Sequence, residues 1–90
     1  MVRYHALVEG YVQGVGFRYY VLHTARLLEL TGWVRNREDG LVELEAQGPP
    51  DRVDELLAAV RRGSSYSTVT HVTVEKREPD RWERSFEVGC

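Results

Sequence analysis

The sequence predicts a two-layer α+β fold, with two helices covering one face of a mostly antiparallel sheet of four to five strands. Three observations carry that expectation. Apolar and polar residues alternate along the first ten residues. Two later segments carry apolar residues at helical spacing, and an Asp-Gly pair divides two short runs between those helices.

Each element has a local reason. Val2, Tyr4, Ala6 and Val8 fall on one side of a strand and Arg3, His5 and Glu9 on the other, with Leu7 as the exception. That strand is expected to end at a glycine-punctuated loop, Gly10 to Gly16. From Phe17 the period lengthens: Phe17, Val21, Ala25 and Leu28 make a helical stripe, and Thr31-Gly32 is read as its end, since glycine tolerates a left-handed helix terminus. Trp33 and Val34 begin a short strand toward Asn36. Arg37-Glu38-Asp39-Gly40 is a hairpin turn, and Val42, Leu44 and Ala46 alternate with Glu43, Glu45 and Gln47 until Gly48-Pro49-Pro50 stops the strand.

Pro50 suits the start of a second helix, with Asp51, Asp54 and Glu55 near the positive end of its dipole. Val53, Leu56, Leu57 and Val60 form its buried stripe, and Arg61, Arg62 and Gly63 close it. Ser64 to Thr68 reads as a polar linker, Val69 to Glu75 as a strand with Val72 and Val74 inward, Glu78 to Arg81 as a turn, and Phe86 to Val88 as a last short strand. The order βαββαβ is the split β-α-β signature of the ferredoxin-like α/β sandwich. A strand-helix-strand crossover makes the first two strands parallel, and the third fits between them. The loop after Tyr11 and the residue Asn36 are therefore expected at one edge of the sheet.

With 90 residues, one domain spanning 1–90 is expected. A chain of this size buries roughly 60–65% of its unfolded surface, enough for a core without metal or disulfide support. The net charge of −2 supplies no global positive field for nucleic acid. Cys90 is the single cysteine, expected as a free terminal thiol, so no internal disulfide is available. No apolar run approaches the ~18 residues of a membrane span and no signal-peptide core is visible, which makes a cytoplasmic location the default and a membrane partner unexpected.

The segment Gln13-Gly14-Val15-Gly16-Phe17-Arg18 leads straight into the first helix. Its glycines let the backbone curve so that successive N–H groups converge on an anion, and the helix start adds free N–H groups and a positive dipole end. Arg18 can offer a bidentate fork to two phosphate oxygens. On glycine spacing alone, a plain β-to-α turn with a surface arginine is the better account, and Asn36 alone reads as a turn residue.

The two segments together change that balance. Gly10-Tyr11-Val12-Gln13-Gly14-Val15-Gly16-Phe17-Arg18 resembles the first acylphosphatase signature, G-x-V-Q-G-V-x-F-R. Gly32-Trp33-Val34-Arg35-Asn36, with Gly40, Val42 and Gly48 at the family's spacings, resembles the second. The resemblance spans the whole chain in length and element order. It implies hydrolysis of the carboxyl–phosphate bond of an acyl phosphate by direct water attack. It also implies backbone N–H groups of Gln13, Gly14, Val15, Gly16, Phe17 and Arg18 holding the phosphate, Arg18 as a catalytic cation and Asn36 orienting the water. No metal, no cofactor and no covalent intermediate are implied. Phosphoryl transfer asks mainly for positioning and charge stabilisation, which an arginine and a neutral amide supply.

Other residues are not promoted. His5, His23 and His71 are scattered without paired ligand spacing. Ser64 and Ser65 lack a histidine-acid partner, Tyr19 and Tyr20 read as helix-surface and packing residues, and Trp33 as a packing residue beside the site. The rival readings are an RNA-binding module, a regulatory metabolite-binding domain, and a carbamoyl-phosphate-binding domain of a larger maturation enzyme. An RNA-recognition sheet calls for a basic-aromatic central strand, whereas Leu41-Val42-Glu43-Leu44-Glu45-Ala46 is acidic and lacks aromatics. A free-standing monomeric enzyme acting on a small molecule is the expectation.

Overall fold

The N-terminal alternation builds β1 (Val2–Tyr11), the strand against which most of the sheet is assembled. A computed structural model of the chain describes residues 1–89, so the expectation for Cys90 lies outside the described residues. After β1 come α1 (Phe17–Leu27), β2 (Thr31–Asn36), β3 (Val42–Gly48), α2 (Pro50–Arg62), β4 (Thr68–Arg77) and β5 (Phe86–Val88). The sheet order is β4-β1-β3-β2-β5. β3 runs antiparallel to both β1 and β2, which makes β1 and β2 parallel to each other, as the crossover predicts. β5 adds in parallel on the far side of β2, so the sheet is mixed.

Both helices pack on one face. Ala6 and Val8 of β1, Val34 of β2 and Val42, Leu44 and Ala46 of β3 meet Phe17, Val21 and Ala25 of α1 and Val53, Leu56, Leu57 and Val60 of α2, with Phe86 closing the β5 side. Each such large side chain contributes roughly 1.5–3 kcal/mol by leaving water. Tyr20 is half-buried between the helices and its hydroxyl donates to the Ala59 carbonyl at 2.8 Å.

The structure departs from the sequence expectations in two places and goes beyond them in a third. First, β1 does not stop at Gly10. A bulge between Glu9 and Gly10 lets the strand continue to Tyr11 against β4. Gly10 has φ 134°, and a Cβ there would run into the Thr68 carbonyl. Second, Thr31-Gly32 does not close α1. Glu29 takes the left-handed position instead, at φ 59°. Its N–H reaches the Arg26 carbonyl at 3.0 Å while that of Leu30 reaches Ala25 at 2.9 Å, a Schellman termination without glycine. Gly32 already lies in β2, where a Cβ would strike the Glu45 carbonyl.

Third, the face away from the helices is not a solvated polar surface. Arg3, His5, Glu43 and Gln47 are 6%, 9%, 8% and 2% exposed. Arg3 Nε donates to Glu45 at 2.6 Å, and its Nη1 donates to Gln47 at 2.9 Å and to Glu83 at 2.8 Å. His5 Nε2 meets Glu43 at 2.7 Å, and Arg35 Nε donates to the other Glu43 oxygen at 2.8 Å. Gln47 also clasps the backbone of Asp80 in both directions, at 2.6 and 2.8 Å. The segment between β4 and β5 is thereby pinned across the sheet.

Candidate active site

β1 and β2 end at the same end of the sheet, and the residues that follow each of them meet there. Val12 and Phe17, both buried in the core, anchor the two ends of the intervening loop. Gly14 at φ 75° and Gly16 at φ 80° alternate with residues of ordinary handedness. Such alternation is a backbone pattern in which successive N–H groups can turn toward one point. Among the described residues, a Cβ on either glycine would meet nothing within 4 Å, so what requires glycine there is backbone handedness rather than space. Gly16 is also the N-cap of α1, and among the described residues no side chain caps that helix. The first-turn N–H groups thus have no side-chain acceptor among the described residues.

Arg18 stands in the first turn of α1 and is half-buried. Its Nη1 donates to the Gly89 carbonyl at 3.3 Å, and its guanidinium carbon lies 6.0 Å from the Tyr19 ring centroid. Gly89 is itself held by its N–H, which donates to the Val34 carbonyl at 2.7 Å. Among the described residues, Arg18 has no carboxylate within ion-pair distance. The neighbouring arginines differ. Arg35 is taken by Glu43, and Arg37 by Asp39 at 2.8 Å. The hydrogen bond from Arg37 holds the Asp39 carboxyl below the usual carboxylate range, helped by the Leu41 N–H, and Asp39 in turn raises Arg37.

Asn36 is the last residue of β2, paired with Val42. It follows Val34 by two positions and so shares the helix-facing side of the strand. Its Oδ1 is buried with no hydrogen-bond partner among the described residues. An unpaired buried acceptor costs about 1–3 kcal/mol, so its retention here calls for a reason. The hollow beside it, about 490 Å³, is lined by Arg35, Asn36, Arg37, Glu38 and Asp39.

The loop and the hairpin are joined directly. Gln13 Nε2 donates to the carbonyls of Arg37, at 2.8 Å, and Leu41, at 2.9 Å. The structure therefore brings the Gln13–Arg18 segment and the Asn36 hairpin to one end of the sheet, although Arg18 does not itself line the hollow beside Asn36. Two features escaped sequence reasoning. The Gln13 side chain bridges loop and hairpin, where only its backbone was considered. The Gly89 carbonyl orients Arg18 from a C-terminal third that carries no motif. Neither has a local sequence signal, since both contacts join residues far apart in the chain.

His23 and His71 are exposed, and His5 faces Glu43 on the opposite side of the sheet. Among the described residues, no group of three or more His, Cys, Asp or Glu side chains is arranged to hold a metal. No described helix is long and apolar enough to cross a membrane.

Comparison with known proteins extends the pattern to the whole chain. A family model described as Acylphosphatase matches residues 4–88. An acylphosphatase of Bacillus velezensis is 44% identical over 89 residues, 99% of each chain. One from Moorella thermoacetica is 50% identical over 88 residues, covering 98% of this chain and 94% of the relative. The crystal structure of acylphosphatase from Bacillus subtilis superposes over 100% of both chains with a TM-score of 0.95 at 40% identity. With a family model over nearly its full length and full-length relatives at this identity, the chain belongs to the acylphosphatase family of hydrolases.

Proposed function

We propose that the chain hydrolyses the carboxyl–phosphate bond of small acyl phosphates, with the Gln13–Arg18 segment holding the phosphoryl group and Asn36 placing the attacking water. Water adds to phosphorus, the bond from phosphorus to the carboxyl oxygen breaks, and a carboxylate and inorganic phosphate leave. The observation that carries this reading is the meeting, at one end of the sheet, of an uncapped helix start with the buried, unpartnered amide oxygen of Asn36. In this reading the N–H groups and the Arg18 fork take up the equatorial oxygens of the transferring phosphoryl group and stabilise their charge. The Asn36 oxygen accepts a hydrogen from the water and is satisfied by doing so. Asparagine is too weak a base to take the proton away, so the proton passes to the substrate. The reading takes the chain as one domain, acting as a monomer and without a metal or cofactor.

The test is continuous hydrolysis of benzoyl phosphate, with chelator present, by the wild type, Arg18→Ala and Asn36→Ala. Losing one preorganised hydrogen-bonding group of this kind costs about two to three decades in rate. The expected result is chelator-resistant turnover in the wild type and a collapse in both variants, with circular dichroism unchanged. A wild type that binds phosphate yet shows no turnover would instead make this a metabolite-binding module. A rate limb with a histidine pKa would overturn the proton route.

A further inference from the structure

We infer that the Gln13 side chain is a positioning residue, a strut that sets the distance between the phosphate loop and Asn36. The inference rests on the proposed roles of that loop and of Asn36, and assigns to Gln13 a task that neither role includes.

The geometry is specific. The two acceptors of the Gln13 amide, the Arg37 and Leu41 carbonyls, sit 24 and 28 residues away in sequence. They are also the two carbonyls that bracket the hairpin turn. The Leu41 carbonyl accepts from the Arg37 N–H at 2.9 Å, and the Arg37 carbonyl from the Gly40 N–H at 3.3 Å. Gln13 therefore grips the turn at both of its ends. An amide nitrogen carries two hydrogens, and here each has its own carbonyl. Because both partners can only accept, the amide must present its nitrogen.

The positions in sequence give the grip its consequence. Gln13 immediately precedes Gly14, where the loop turns, and Arg37 immediately follows Asn36. A strut from residue 13 to residues 37 and 41 thus couples the two halves of the site, beside Gly14 on one side and beside Asn36 on the other. The halves are otherwise held by β3, which lies between β1 and β2, and by the Gly89 backbone, which links Arg18 to Val34; neither reaches the hairpin turn itself. The loop's own curvature comes from Gly14, Gly16 and the core anchors Val12 and Phe17, none of which needs the amide. Losing the strut should leave phosphate binding nearly intact and spoil the alignment of the water with the phosphorus.

The experiment is steady-state kinetics on benzoyl phosphate, with inhibition by inorganic phosphate, for wild type, Gln13→Met, Asn36→Ala and the double variant. Methionine keeps the length and removes both donors. A misplacement of order 1 Å costs up to about 100-fold. The expected result is a kcat reduced roughly 10- to 100-fold, with the inhibition constant for phosphate within about threefold of wild type. The double variant should be no slower than Asn36→Ala alone, because the strut acts through Asn36. Losses that multiply in the double variant, or a Gln13→Met that turns over like wild type, would overturn the inference. An Asn36→Ala variant that keeps wild-type turnover would instead overturn the proposed role of Asn36. Should Gln13→Met not fold, Gln13→Asn, one methylene too short to span both carbonyls, is read in the same way.

Discussion

The two faces of the sheet are built by opposite chemistries on the same strands. On one, β3 contributes Val42, Leu44 and Ala46 to an apolar core beneath α1 and α2. On the other, Glu43 and Gln47 are nearly as enclosed and Glu45 is half-buried, and each is held by a named partner: His5 and Arg35 on Glu43, Arg3 on Glu45 and Gln47. The first face is stabilised without direction, by area removed from water. The second gains little from burial itself, because its charges must recover what desolvation costs through geometry. The difference shows that alternation in a strand separates two kinds of interior as readily as interior from surface.

The largest way to test this contrast is on the apolar side. Leu44 is wholly buried and faces Ala6 across β1. Leu44→Ala should lower unfolding stability by about 2–5 kcal/mol, the range for an unfilled leucine cavity, measured by urea titration. The loss should be global, lowering hydrogen-exchange protection throughout the sheet, since the residue belongs to the shared core. A loss under about 1 kcal/mol would mean that the helix layer collapses onto the gap.

The charged side should fail differently. Burial alone would lower the Arg3 pKa, but the hydrogen bonds and charges of Glu83 and Glu45 outweigh it and hold the guanidinium above its usual range. Arg3→Met strands both carboxylates. Breaking a fully buried pair costs about 3–5 kcal/mol, and here water still reaches Glu45 and Glu83, so about 2 kcal/mol is expected. The distinguishing readout is place. The Asp80–Glu83 segment, which Arg3 and Gln47 pin to the sheet, should lose exchange protection before the core does. Loss that spreads evenly would erase the distinction between the faces.

The same contrast explains what could be read in advance. The apolar face was legible because its residues announce themselves by period: Val2 to Val8, Phe17 to Ala25 and Val53 to Val60 each name an element and the side it buries. The crossover rule then placed Asn36 and the glycine loop at one end of the sheet. Arg3 and His5 could be placed only on the side away from the apolar stripe, because a charged residue on an alternating strand carries no sign of its partner. Glu83 lies 80 residues from Arg3. The site divides in the same way. Gly14, Gly16, Arg18 and Asn36 stood out by type and motif, whereas the Gln13 amide and the Gly89 carbonyl act through contacts that only the assembled sheet creates. Glu29 at the end of α1 shows the local limit: neighbouring Gly32 had the better propensity, but the Schellman hydrogen bonds fell three residues earlier.

The smallest effect should appear in acid. Burial would raise the Glu43 carboxyl, but hydrogen bonds from His5 and Arg35, followed by their charges, outweigh it and hold the group below the usual carboxylate range. The folded protein then releases that proton more readily than the unfolded chain. The stability Glu43 contributes is complete above its unfolded value, about 4.3 for an ordinary glutamate, and is lost as pH falls through the lower folded value. In Glu43→Gln nothing titrates at that position. The variant should be less stable than wild type near neutrality and lose less of its stability below about pH 4, so that two urea-midpoint curves measured against pH converge. Asp39, also held low by Arg37, contributes to the acid limb of both proteins. Parallel curves would mean that the Glu43 charge is not what His5 and Arg35 are holding, and that this face is kept closed by shape as its apolar counterpart is.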